Sequence, residues 1–245
     1  MSKRRIRKAA SQISDRNSKI IWIRRLLVIM VTFLLIIYFI LRIVYDTGRF
    51  TIVLDRAGDP MSGLIIYNSL SDKKAQQKLQ AEPIDFFTNI AESWLPENIG
   101  DEAEGSHNGT NYIAYTFYVE NRSDNTMDYW YEVVLDDVIK NVDEALRVMV
   151  ILNGEKTIYA KLNSTTKEPE EGTKAFYSDD KVAVECRKDF ASGEIDKCTV
   201  VIWIEGNDPE CLDDLIGGEI KMHMSIIEDH ITQDNNGKEG DEENE

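Results

Sequence analysis

The hydrophobic rhythm of the chain changes once. From Leu26 to Leu41, sixteen residues pass without a charge and without a polar face, which suits a helix surrounded by hydrocarbon better than one lying on a soluble core. A crossing needs about 20 residues, and Leu26 to Tyr45 supplies them if Arg42 snorkels to the far interface beside Tyr45. After that the period falls to two. Residues 49–55 set Phe50, Ile52 and Leu54 against Thr51, Val53 and Asp55, predicting a strand that ends at Gly58-Asp59-Pro60, and residues 64–67 predict a second. Residues 69–80 are polar and tolerate helix. Residues 84–95 predict a short helix carrying Phe86, Phe87, Ile90 and Trp94, and residues 97–110 a loop rich in Gly, Asn and acid.

From residue 111 the pattern is β. Ile113, Tyr115, Phe117 and Val119 share one face, the polar run Asn121-Arg122-Ser123-Asp124-Asn125 interrupts, and Tyr129, Tyr131, Val133 and Leu135 share the next. This predicts a hairpin over residues 111–135, followed by a helical turn over 136–145. Residues 146–152 form a strand, Asn153-Gly154 is the strongest short hairpin signal, and residues 157–161 return. Residues 163–180 read as an acidic surface loop. Residues 182–186, 199–204 and 219–227 complete the strands. The stretch 199–204 is apolar on both faces and should be central, whereas Ile220, Met222, Met224 and Ile226 alternate with polar neighbours and should be half-buried. Eight or nine short strands predict a mainly-β protein: an antiparallel, jelly-roll-like β-sandwich with one or two short helices. The expected organisation is a basic tail (1–25), a span (26–45), a connecting region (46–110), the sandwich core (111–227) and an acidic disordered tail (228–245).

Charge gives this layout a direction. Residues 1–25 hold nine Lys or Arg against Asp15 alone, and the whole chain carries −16, so residues 26–245 carry −24. Lys and Arg are retained in the cytoplasm, so the first 25 residues stay in and the acidic bulk goes out. A cleaved signal peptide competes, but Arg42-Ile43-Val44-Tyr45-Asp46 places no small residue before Thr47 and Gly48, and cleavage wants small residues just after the run. The first partner expected is therefore the lipid bilayer, which the basic tail also touches. An acidic exported part argues against nucleic acid and leaves a protein or carbohydrate partner.

Candidate chemistry is sparse. The densest cluster runs from Glu205 through Asp208, Asp213 and Asp214 to Gly218. Its carboxylates suit calcium, although the spacing is not that of an EF-hand. The competing reading is a short capped helix, with Asp208 as N-cap, Pro209 at the first helical position and Gly217 at its left-handed end. No other cofactor is implied. Cys198 and Cys211 are close enough in sequence to bridge, and Cys186 reads as a small buried hydrophobe. His107, His223 and His230 read as surface residues, and no zinc-protease motif, nucleophile elbow or phosphate loop occurs. Catalysis is not expected. Tyr112, Tyr118 and Trp130 form the best exposed aromatic platform. Asn108, Asn121 and Asn163 open glycosylation acceptors.

Thr116-Phe117-Tyr118-Val119-Glu120-Asn121, Val200-Val201-Ile202-Trp203-Ile204-Glu205-Gly206 and the 208–218 stretch resemble the camelysin/TasA-like exported jelly-roll proteins of Gram-positive bacteria. The resemblance covers residues 111–227. It implies a β-sandwich outside the cell, in some members assembling into matrix fibres. This chain departs in its retained anchor, which counts against free fibre assembly, and it offers no ligand motif onto which a peptidase activity would carry. The expectation is a single-pass surface protein with a structural or binding sandwich. The alternatives are a calcium-dependent adhesin or anchored enzyme at the acidic loop, and a bitopic accessory subunit of an envelope complex.

Overall fold

Residues 22–39, 50–55, 63–84 and 88–229 are described by the computed structural model. The chain divides into two units, one ending at Thr47 and one beginning at Gly48. In the first, Trp22–Phe39 forms helix α1, 18 residues with none buried. At 1.5 Å per residue it is about 27 Å long, close to the hydrocarbon thickness of a bilayer. Thr32 donates its hydroxyl to the Val28 carbonyl at 2.9 Å, so the one polar group between Leu26 and Phe39 outside the Tyr38 ring is satisfied within the helix. By length and composition α1 is a candidate span; a signal sequence meets the same description. Residues 40–45 of the expected span, the tail to residue 21, the Gly58-Asp59-Pro60 turn, Phe86, Phe87, His230 and the acidic tail beyond it lie outside the described residues.

The second unit is β throughout. Its strands are β1 (Thr51–Asp55), β2 (Leu64–Tyr67), β3 (Lys78–Gln80), β4 (Gly105–Ser106), β5 (Ile113–Asn121), β6 (Met127–Ile139), β7 (Leu146–Leu152), β8 (Glu155–Ala160), β9 (Lys174–Ala175), β10 (Lys181–Phe190), β11 (Ile195–Ile204) and β12 (Glu219–Asp229). They build one sheet in the order β10-β6-β12-β1-β3 and another in the order β2-β5-β11-β7-β8-β9, with β4 added on β5. The sheets are mixed rather than antiparallel, because β1 runs parallel to β12 and β9 parallel to β8. A parallel neighbour needs a long crossover, and nearly the whole unit separates β1 from β12.

One cluster fills the space between the sheets. Tyr115, Phe117 and Val119 of β5 meet Tyr129, Tyr131 and Val133 of β6 there, with Val148, Val200, Ile202, Met224 and Ile226. Each such side chain contributes roughly 1.5–3 kcal/mol by leaving water. The expected hairpin over 111–135 is therefore not formed: β5 pairs with β2, β4 and β11, and β6 with β10 and β12. Both strands aim their aromatic face at the interior, but from opposite layers. Asn153-Gly154 does close a hairpin, with φ of 51° and 88° that a tight two-residue turn demands. The boundary expected at residue 111 does not divide two bodies, since Phe50, Ile52, Leu64, Ile66 and Leu79 belong to the same core.

The expected helices are replaced by turns. Among the described residues of 84–95 the helical element is a 3-10 turn at Glu92–Trp94, residues 69–80 end in β3, and β6 runs on to Ile139 before a 3-10 turn at Val142–Ala145. The capped helix after Asp208 shrinks to a 3-10 turn at Asp213–Leu215, although Gly217 does take the left-handed conformation. Strand β11 is central, as its doubly apolar pattern requires. At its start the buried Asp196 accepts hydrogen bonds from the Tyr129 hydroxyl (2.7 Å), the Asn153 amide (2.7 Å) and Arg187 Nε (3.1 Å), tying the two sheets together.

Candidate functional site: a groove on the outer face of the second sheet

Strand pairing lays three rows of side chains across the outer face of the second sheet: Trp203 beside Arg147, Val201 beside Met149 and Ile158, and Thr199 beside Ile151 and Lys156. Ile90, Leu95 and Ile99 close over Val201, Trp203, Met149 and Ile158 to make a second apolar cluster outside the main core. Ile90 is pinned by two backbone hydrogen bonds, its N–H to the Ile204 carbonyl and its carbonyl to the Gly206 N–H, both at 2.9 Å. The residues after Ile90 then stand as a wall. A groove of about 780 Å³ lies beside this wall, floored by Met149, Ile151, Ile158 and Trp203, and bounded on the other flank by Glu170, Glu171 and Thr173.

Both cations lining the groove, and several of its carboxylates, are engaged with one another. Arg147 and Asp208 form a buried ion pair at 2.5 Å, their side chains 6% and 0% exposed. Burial raises the Asp208 carboxyl above its ordinary value, with the Arg147 guanidinium opposing. Glu205 accepts from the Trp203 indole N–H (3.0 Å), the Glu92 backbone N–H (2.9 Å) and the Asn207 backbone N–H (3.0 Å). Lys156 pairs with Glu92 at 2.6 Å. These contacts fix the end of the groove.

Of the acids expected to hold calcium, Glu205 and Asp208 line the groove, whereas Asp213 and Asp214 are exposed on the 3-10 turn and do not line it. Asp208 is instead grouped with Glu170 and Glu210, their carboxylate oxygens within 4.8 Å of one another. Each of the three is in use: Asp208 by Arg147 and the Glu210 N–H, Glu210 by the Ser164 N–H and hydroxyl, and Glu170 by the Asn163 amide. Asp208 thus caps a turn and an ion pair rather than a helix.

Other expectations need correction. Cys198 and Cys211 do not bridge: Cys198 is buried in the sandwich, while Cys211 receives the Asn89 amide at 3.1 Å. Burial pushes the Cys198 thiol up, so it remains protonated. Cys186 is half-buried. The aromatic platform is split between layers, because Tyr118 is buried against Tyr67 on the second sheet whereas Trp130 lies on the first and is 37% exposed. His107 is not on the surface: its side chain is 7% exposed, and burial lowers its pKa. Its Nε2 meets Thr116, which in turn meets Thr199. His223 is more open, paired with Asp136 at 2.8 Å. Asn121 is fully buried, donating to the Phe190 and Asn125 carbonyls, so the folded chain withholds it from glycosylation.

Arg147 and Asp196 escaped the reading of the sequence. A single cation inside the apolar run Leu146–Leu152 is the signal that finds Arg147, since a buried guanidinium must have a carboxylate partner. No protein-family profile matches the chain, and no curated protein matches it. Among solved structures it is similar to the β-glucosidase from Kluyveromyces marxianus in complex with glucose, at 12% identity over 70% of this chain and 17% of that one, with a TM-score of 0.23. It is also similar to ACE19, the collagen binding subdomain of the Enterococcus faecalis surface protein ACE, at 12% identity over 50% of this chain and 90% of that one, with a TM-score of 0.19. The chain therefore spans about a sixth of the length of the β-glucosidase.

Proposed function

We propose that the chain is a single-pass, membrane-anchored cell-surface protein whose exported β-sandwich binds a partner without catalysis. Residues 1–25 stay in the cytoplasm, the segment from Leu26 to Tyr45 crosses, and the unit beginning at Gly48 stands outside. The observation that carries this reading is α1 itself: an 18-residue helix with no burial, uncharged from Leu26 onward, with a strongly basic segment at its start and an acidic unit with its own core after it. A binding role is supported by the groove, which is concave, with both of its cations paired and Glu97 and Glu171 exposed at its flanks.

The test is an impermeant protease added to intact cells expressing the chain with a different tag at each end. Cleavage within residues 63–229 with the N-terminal tag protected, and an intact mass retaining residues 22–39, is the expected result. Protection in intact cells with ready cleavage in lysates overturns the topology, and a mass lacking α1 overturns the anchor.

A further inference from the structure

We infer that the groove receives an extended, lysine- or arginine-bearing peptide segment of a partner protein, laid along the open edge of β8. The inference rests on reading the exported unit as a binding module and names the chemistry of its partner.

Three observations converge on it. Strand β8 pairs with β7 along its whole length, but β9 covers only Tyr159 and Ala160 on the other side. Among the described residues, Glu155–Ile158 thus carry a ladder on one side alone. The chain beyond that edge folds into its own turn, with the Thr173 N–H given to the Glu170 carbonyl. An uncovered edge offers backbone donors and acceptors at strand spacing, which is how extended peptides are captured. Of the apolar floor beside this edge, Met149 and Ile158 are covered by the Ile90–Ile99 segment, while Ile151 remains half-buried and open to the alternate side chains of an added strand.

Charge then selects the segment. Glu92, Glu97, Glu170, Glu171, Glu205 and Asp208 line the groove against only Arg147 and Lys156, an excess of four negative charges. Both cations are already paired, Arg147 with Asp208 and Lys156 with Glu92. An acidic ligand therefore meets no free cation in the groove. A basic segment meets exposed carboxylates on both flanks, Glu97 from one and Glu171 from the other.

The experiment uses the full chain in nanodiscs of neutral phosphatidylcholine and a fluorophore-labelled probe, acetyl-Lys-Val-Lys-Val-Lys-Val-Lys-amide, followed by fluorescence anisotropy at low salt. Binding should saturate. It should weaken about tenfold when Glu97→Gln and Glu171→Gln are combined, the effect of removing two nearby charges from a complementary surface. The same loss of charge away from the groove, Asp213→Asn with Asp214→Asn, should change affinity less than twofold. Methylating alternate backbone nitrogens of the probe should abolish binding, since it removes the ladder but keeps every charge. Absence of saturable binding overturns the inference. So does an equal loss from both double variants, which would mean attraction to the acidic unit as a whole, and so does undiminished binding of the methylated probe. None of these results bears on the protease experiment, so the groove chemistry and the membrane topology can fail separately.

Discussion

The two sheets bury similar interiors but differ on their outer faces. Outside the first sheet, Trp130, Glu132 and His223 stand toward solvent, and the charges are met by ordinary partners: Lys181 by Glu132 at 2.7 Å and His223 by Asp136 at 2.8 Å. Outside the second, Trp203 is fully buried, Met149 and Ile158 lie under the Ile90–Leu95–Ile99 segment, and the ion pair Arg147–Asp208 is closed off from water. A solvated face gains little from its ion pairs. A covered face carries apolar burial worth several kilocalories, and its uncovered remainder becomes a groove. The strand β11 that is apolar on both sides is thus the sequence mark of a layer folded over the sheet.

Substitutions sharpen this contrast. Trp203→Ala should cost roughly 3–5 kcal/mol in chemical unfolding, as truncation of a fully buried aromatic does. The matching change on the other face, Trp130→Ala, should stay under about 1 kcal/mol. Equal losses would show that the faces are not different in kind. Next in size, Asp208→Leu should cost about 3 kcal/mol, because it strands the buried Arg147 guanidinium. Adding Arg147→Met should recover much of that loss, and no recovery in the double variant would mean that the pair itself stabilises the groove.

The smallest effect is a pH dependence. His107 is held neutral by burial, so its folded pKa lies below its unfolded value of 6.5. The unfolded chain then binds more protons, and stability is complete above pH 6.5 and falls as the pH drops toward the folded pKa. Melting between pH 7.5 and 5 should show this decline, with a shallower one in His107→Gln. A decline unchanged in that variant assigns the effect to other groups.

Alternation along the chain made the interior legible. Ile113, Tyr115, Phe117 and Val119, and again Tyr129, Tyr131, Val133 and Leu135, all point inward as their spacing requires. Partnership was legible only where a short turn enforced it. Asn153-Gly154 leaves no room for any mate but the next strand, whereas the five-residue link Arg122–Thr126 lets β6 cross to the opposite layer. Ile90 and Trp94, expected on one helical face, belong instead to an irregular segment that buries Ile90 and leaves Trp94 exposed, since the outer face of β11 needs apolar cover and does not dictate its backbone. The groove was illegible because its walls come from residues 92–99, 170–173 and 205–208, which no local pattern brings together. The acidic loop was seen, but its main partner, Arg147, lies 61 positions away from Asp208.

Strand β12 sits between β6 and β1 in the first sheet. Until Glu219–Asp229 has been synthesised, that layer remains two disconnected fragments, with β1 and β3 waiting on one side of the seam and β6 and β10 on the other. Strand β12 acts as the keystone, and closure of this sheet waits until it is present. Under the proposed topology, such a delay keeps the polypeptide threadable during passage and confines locking to the far compartment.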